Sequence, residues 1–250
     1  MFAVLFPGQG SQSVGMCREL YDKYDFVKQI FQNADKSLGY SISKIILEGG
    51  SEKLNLTEYT QPAIFVASYS IFSLIKKKFN IDLNKAKFFA GHSLGEYSAL
   101  SCAGAISFND AIRLLSKRGK SMQSAVPVGE GGMIAILGKE VDFIDNILSS
   151  NNFETCQIAN DNCPGQVVVS GKLNIINKLN EFLKKQLIKS IILPVSAPFH
   201  CNLMNKSTDV MKIEIEKTNF KTPIPKIISN VNAIEQNDTN IIKELLIKQI

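Results

Sequence analysis

Apolar and polar positions along this chain switch between a short and a long period, and the switching sets the expected architecture. Residues 2–6 are a short apolar run closed by Pro7-Gly8, the pattern of a buried strand that ends in a turn. Helical periodicity occupies roughly 13–33 and again 61–79. Residues 85–90 read as a second strand, 94–102 as a helix, and 109–125 as another helix entered after Ser107. Strands alternating with helices predict an α/β layer structure around a parallel sheet.

After Pro127-Val128-Gly129 the pattern changes character. Residues 133–137 read as a strand, 141–149 as a helix, 155–159 and 166–170 as strands, 173–185 as a helix and 188–195 as a strand. That β-α-β-β-α-β order is the ferredoxin-like arrangement. The expected organisation is a discontinuous large domain, 1–128 with 195–250, carrying a small ferredoxin-like subdomain at 129–194.

Composition narrows the function classes. Hydrophobic residues at 45% and charged residues at 20% of 250 predict a globular chain with a substantial core. The net charge of +5 is small and scattered, which argues against nucleic acid and leaves a mildly basic surface suited to an acidic protein partner. Five cysteines, Cys17, Cys102, Cys156, Cys163 and Cys201, form no CxxC pair and no metal-ligand spacing, so reduced thiols and no metal are expected. The apolar N-terminus lacks a basic n-region, and the longest mostly apolar stretch, 62–75, is too short and too polar for a bilayer. The expectation is a soluble protein of a cytoplasm or an organelle stroma.

Gly91-His92-Ser93-Leu94-Gly95 matches G-x-S-x-G between an expected strand and an expected helix. At such an elbow the turn crowds its neighbours, glycines flank the serine, and Oγ projects from the sheet edge, as in an α/β-hydrolase-like large domain. The following helix N-terminus points at the reacting centre, and the Leu94 N–H can donate to a developing oxyanion. A serine nucleophile needs a base. Of the two histidines, His92 sits beside Ser93 in a tight turn and should point away, which leaves His200. For the third member, Asp142, Asp145, Glu154, Asp161 and Glu181 lie between serine and histidine, and none is singled out by its flanks. A backbone carbonyl is the other option, and both remain open at the level of the residues.

Arg118 separates a transferase from a hydrolase. Its neighbours at helical spacing are Leu114, Leu115, Ser121 and Met122, none of them acidic, whereas Arg113 has Asp110. An arginine beside an apolar stripe calls for an anion from elsewhere, and a guanidinium grips carboxylates bidentately. A long-range salt bridge or a snorkelling side chain would use the residue equally.

Six ordered segments resemble the malonyl-CoA:acyl carrier protein transacylases of fatty-acid synthesis. They are Phe6-Pro7-Gly8-Gln9-Gly10-Ser11-Gln12, Thr60-Gln61-Pro62-Ala63, the elbow extended from Ala90 to Ala99, Arg118-Gly119-Lys120-Ser121-Met122, Asn162-Cys163-Pro164-Gly165-Gln166-Val167-Val168 and Val195-Ser196-Ala197-Pro198-Phe199-His200. The resemblance implies Ser93 as acyl acceptor, His200 as base, and Arg118 as clamp for the malonyl carboxylate. It implies an oxyanion hole at the N–H groups of Gln9 and Leu94, and a substrate pocket that includes Gln61, Met122 and Phe199. It also implies that the main-chain carbonyl of Gln249 orients the imidazole, which would account for the missing acid. No bound cofactor is implied. Malonyl-CoA is the substrate, and the phosphopantetheine belongs to the partner, an acidic acyl carrier protein met by a monomeric enzyme.

Members of that family usually continue beyond the position of Ile250 with a further strand, a glycine-rich turn and a last helix. This chain stops inside a predicted helix without a C-cap signal. A shortened C-terminus is therefore expected, with less support for the sheet edge and for Gln249. Two other readings compete. A serine hydrolase of esters or thioesters shares the elbow and the histidine but has no use for Arg118 or the Gly8-Gln9-Gly10 loop, and a patatin-like variant would need an Asp-Gly dipeptide that the chain lacks. A non-catalytic carrier-protein-binding subunit is the third reading.

Overall fold

The structure, a computed structural model, describes residues 1–127, 129–195 and 197–250. Val128, the last residue of the expected first segment, and Ser196 of the 195–200 motif lie outside the described residues.

The chain opens with β1 (Val4–Phe6), α1 (Arg18–Lys23), α2 (Asp25–Leu38), α3 (Ile42–Glu48), α4 (Ser51–Leu54) and the long α5 (Thr57–Lys78). Next come β2 (Phe88–Gly91), α6 (Leu94–Cys102) and α7 (Phe108–Ala125). A middle group holds β3 (Gly131–Leu137), α8 (Val141–Ser150), β4 (Gln157–Cys163), β5 (Gln166–Lys172), α9 (Leu173–Lys185) and β6 (Ser190–Ile192). The last elements are α10 (Asn205–Lys217), β7 (Lys226–Ile228), β8 (Glu235–Gln236) and α11 (Thr239–Lys248). The chain divides into two compact units, one of Met1–Lys120 with Met211–Gln249, the other of Ser121–Val210 with Ile250.

The first unit is built on a sheet of order β1-β2-β7-β8. β1 and β7 both pair parallel with β2 between them, as expected of a parallel sheet, and β8 joins β7 antiparallel, so the sheet is mixed. Its central strand packs through Phe89, whose ring lies 5.8 Å from Phe6 of β1 and 5.7 Å from Phe72 of α5, both edge-on. All nine residues of α6 are buried, the condition of a helix enclosed on every side.

Several expected bounds move. The single helix expected at 13–33 is two, because Tyr24 takes an extended conformation that ends α1 and opens α2. No Gly or Pro marks that break, and α1 buries nothing, so periodicity alone runs straight across it. α5 begins at Thr57 and keeps Pro62 inside, losing one backbone bond at the ring nitrogen. α3 was not anticipated. It is held at its start by Ser41, which accepts from the Lys44 N–H, and by Asp35, which accepts from the Ser43 N–H at 2.8 Å. The strand expected at 85–90 is β2 at Phe88–Gly91, because Lys85 still belongs to a 3-10 turn, Leu83–Lys85.

The second unit carries a four-stranded sheet of order β4-β5-β3-β6, with every adjacent pair antiparallel. Alternate strand positions Ile134 and Ile136, Val167 and Val169 share one face. They form a core with Ile144, Ile147 and Leu148 of α8 and Ile176, Leu179 and Leu183 of α9. Here α9 keeps its expected bounds, β4 lies later than expected and β6 is shorter.

Phe89 anchors the strand that leads into the elbow. Phe89→Ala should lower the unfolding free energy by about 3–5 kcal/mol in denaturant titration. A loss below about 1 kcal/mol, the scale of a surface change, would contradict the role given to the Phe6-Phe72-Phe89 cluster.

Candidate functional site

Three parallel strands deliver three chain segments to one sheet edge. In the register Phe6 faces Gly91, so β1 and β2 end together. Ala90 faces Ile228, so β7 ends beside them. The Gln9 loop, the Ser93 elbow and the Ser229-Asn230 segment therefore leave from the same carboxyl ends, where open α/β sheets place their ligands.

The elbow is tight for a reason visible in its backbone. Ser93 has φ 50° and ψ −107°, a left-handed conformation that costs a side-chain-bearing residue about 1–3 kcal/mol. A Cβ on Gly91 would stand 2.0 Å from the Gly95 carbonyl, and one on Gly95 would stand 2.5 Å from the Phe6 carbonyl oxygen. Only glycine fits at either position, and the second contact seats the start of α6 against the end of β1. The Leu94 N–H opens α6, among the donors that a helix leaves without an internal acceptor. Gln9 is half-buried in the β1 loop, and its Nε2 donates to Thr57 Oγ1 at 3.4 Å. His92 is exposed with its ring against Gly8.

Asn230 braces the strained serine. Its Oδ1 accepts from the Ser93 N–H at 2.7 Å, and its Nδ2 donates to the Gly91 carbonyl at 2.7 Å. One side-chain amide thus closes across the elbow. Sequence reasoning missed Asn230, because an asparagine between a strand and a turn is ordinary turn chemistry.

Arg118, on α7, is 1% exposed and reaches Ser93. Its Nη2 donates to Ser93 Oγ at 3.0 Å and to Gln249 Oε1 at 3.0 Å, and its Nη1 donates to Gln61 Oε1 at 3.0 Å. The guanidinium lies 5.7 Å from the centre of the Tyr97 ring. Burial lowers the Arg118 pKa and pushes the Tyr97 hydroxyl up to about 12. Gln249, which follows α11, also donates from Nε2 to the Ser93 carbonyl at 3.2 Å and to Glu96 Oε2 at 2.6 Å. Glu96 is pushed up to about 7 by burial, against the opposing pull of the Asn230 N–H, Gln249, Ser229 and Arg118. Glu96 was the second residue missed. At the first turn of a helix an acid reads as a solvated partner of the helix dipole, yet it is 1% exposed.

So the first unit brings together Ser93, Arg118, Gln61 and Gln249 through direct hydrogen bonds. A group bonded to Ser93 Oγ begins 3.0 Å from a guanidinium already withdrawn from water. An anionic substituent on that group would find a strong, preoriented donor set.

The other anticipated residues belong to the second unit. His200 is half-buried with φ 58°, on a loop tied to the unit's own sheet. The Phe199 carbonyl accepts from Ser170 Oγ of β5 at 2.6 Å, and the Asn202 N–H donates to Gln157 Oε1 of β4 at 2.6 Å. Phe199 is 7% and Met122 1% exposed. The α7 end that bears Met122 is tied to α10 by Ser121 Oγ, 2.7 Å from Ser207 Oγ. Among the described residues, no group of three or more His, Cys, Asp or Glu side chains could hold a metal, and no helix is long and apolar enough to cross a membrane.

Comparison with known proteins converges on one family. The family described as acyl transferase domain matches residues 3–245. The malonyl CoA-acyl carrier protein transacylase of Bacillus subtilis is 42% identical over 253 residues, covering 99% of this chain and 78% of that protein. The acyl-carrier-protein-S-malonyltransferase of Bartonella henselae superposes with a TM-score of 0.95 at 39% identity, over 100% of this chain and 81% of that one. A malonyl-transacylase solved in complex with a type II PKS acyl-carrier protein superposes with a TM-score of 0.93 at 38% identity, over 99% and 80%. With its strand-turn-helix elbow and its buried arginine on the serine, this chain belongs to the malonyl-CoA:acyl carrier protein transacylase family of acyltransferases.

Proposed function

We propose that this chain transfers the malonyl group of malonyl-CoA to the phosphopantetheine thiol of an acyl carrier protein through a malonyl-serine at Ser93. The observation that carries the reading is the buried Arg118 guanidinium, whose Nη2 donates to the nucleophile's Oγ at 3.0 Å. A hydrolase of neutral esters has no use for a cation there, whereas an acyl group ending in a carboxylate does.

His200 takes the Ser93 proton as Oγ attacks the thioester carbonyl. The Gln9 and Leu94 N–H groups stabilise the oxyanion, each such donor being worth about 3–4 kcal/mol. The C–S bond then breaks, and coenzyme A leaves with the proton returned by His200. Arg118, with Gln61 beside it, holds the malonyl carboxylate, and Met122 and Phe199 supply apolar wall. The carrier protein's thiol gives its proton to His200 and attacks the malonyl-serine, and Ser93 recovers the proton. The roles of His200, Gln9, Met122, Phe199 and the Gln249 carbonyl, which would orient the imidazole, rest on the motif resemblance and on membership of the matched family.

The architecture proposed for this chemistry is an α/β-hydrolase-like large domain, 1–128 with 195–250, and a ferredoxin-like subdomain at 129–194. The order β4-β5-β3-β6, with antiparallel neighbours and two helices, supports the second label. The carrier protein partner is acidic and meets a chain of net charge +5.

Incubation with malonyl-CoA alone should give a malonyl adduct by intact mass spectrometry, absent in Ser93→Ala and cleared by holo carrier protein. An adduct that persists in Ser93→Ala would place the chemistry elsewhere. Arg118→Ala should lower kcat/KM for malonyl-CoA by about 100-fold or more relative to acetyl-CoA, the worth of two charged hydrogen bonds. An unchanged ratio of the two substrates would reject the clamp. Asn230→Ala should slow acylation by both substrates alike, about tenfold, because it loosens the elbow and not the carboxylate site. A loss confined to malonyl-CoA would contradict that assignment.

A further inference from the structure

Glu96 stands three residues past the nucleophile, fully enclosed, and no step of the transfer uses it. Its Oε2 accepts from two distant parts of the chain, Gln249 Nε2 at 2.6 Å and the Asn230 N–H at 3.2 Å. The Gln249 amide that turns Nε2 toward Glu96 turns Oε1 the other way, onto Arg118 Nη2 at 3.0 Å. A carboxylate only accepts and a guanidinium only donates, so an amide between them has one orientation that satisfies both. The flipped amide would set NH2 against the guanidinium and oxygen against the carboxylate.

We infer that Glu96 is a positioning residue for acyl-group selection: by fixing the Gln249 amide it holds the Arg118 guanidinium at Ser93 Oγ, favouring acyl groups that end in a carboxylate. The inference rests on the Arg118 reading given above. Placed one amide away, Glu96 offsets a buried positive charge without competing directly for the donors that a substrate carboxylate requires. The groups facing Glu96 are Arg118 from α7, Tyr97 on its own helix, Ser229 and Asn230 after β7, and Gln249 after α11. Arg118 and Tyr97 are the ionisable ones among them. Because burial holds Glu96 up at about 7, it is a carboxylate above neutrality and an acid below, and the acid can donate and so no longer dictates the amide's orientation.

The test is single-turnover acylation of Ser93 by malonyl-CoA and by acetyl-CoA, in variants whose folding is checked by thermal melting. Taking the malonyl-to-acetyl ratio cancels the titration of the base, which both substrates share. Glu96→Gln should lower the ratio about tenfold, as should Gln249→Leu, and the double variant should lose little more. In the unsubstituted protein the ratio should fall from about pH 8 to about pH 6, and it should stay flat in Glu96→Gln. Equal losses with both substrates would show a merely structural residue and overturn the inference, as would an unchanged ratio. If Glu96→Gln does not fold, Gln249→Leu and the pH profile of the unsubstituted protein decide in the same way. Arg118→Ala separates the failures. If it lowers the ratio and the Glu96 and Gln249 variants do not, this inference alone falls. If it also leaves the ratio unchanged, the clamp reading fails and takes this one with it.

Discussion

A guanidinium buried beside a serine is the constraint around which the first unit is arranged. Arg118 cannot be left in an apolar interior without acceptors, because an unsatisfied buried charge costs more than a domain's marginal stability can absorb. Its surroundings supply them from three distant segments: Gln61 near the start of α5, Ser93 at the elbow and Gln249 beyond α11. Each is neutral. These neutral acceptors hold the fork in place, and the nearby acid Glu96 is coupled to it through the Gln249 amide.

The elbow imposes the second constraint. Ser93 keeps an unfavourable backbone conformation because its surroundings over-determine it. The Gly91 and Gly95 contacts leave no room for a side chain, and Asn230 ties the turn at both the Ser93 N–H and the Gly91 carbonyl. The strain is thus held by the ends of three parallel strands, which explains why residues far apart in sequence matter to one hydroxyl. In the second unit the His200 loop is fastened in a comparable way, by side chains of β4 and β5 that bond its backbone.

What the sequence revealed follows from how local each signal is. The bounds of α6 and α9 were legible because turn chemistry and periodicity agree there. The tight elbow at Ser93 was legible from two glycines at fixed spacing, and the need of Arg118 for a distant partner from the lack of any acid at helical distance. The break at Tyr24 and the start of α3 were not, since the first has no punctuating residue and the second depends on the Asp35 and Ser41 caps. Glu96, Asn230 and the Gln249 side chain carry no local mark at all. Their partners lie more than a hundred residues away in the chain, and only the assembled sheet edge brings them together.

The central claim is that Arg118 receives the carboxylate of an acyl group held on Ser93. A crystal structure of the protein after brief exposure to malonyl-CoA tests it most directly. The account predicts a malonyl ester on Ser93 Oγ whose carboxylate lies about 2.7–3.1 Å from the Arg118 guanidinium nitrogens. An acyl-serine whose carboxylate points into solvent, with no contact to the Arg118 guanidinium, would contradict it.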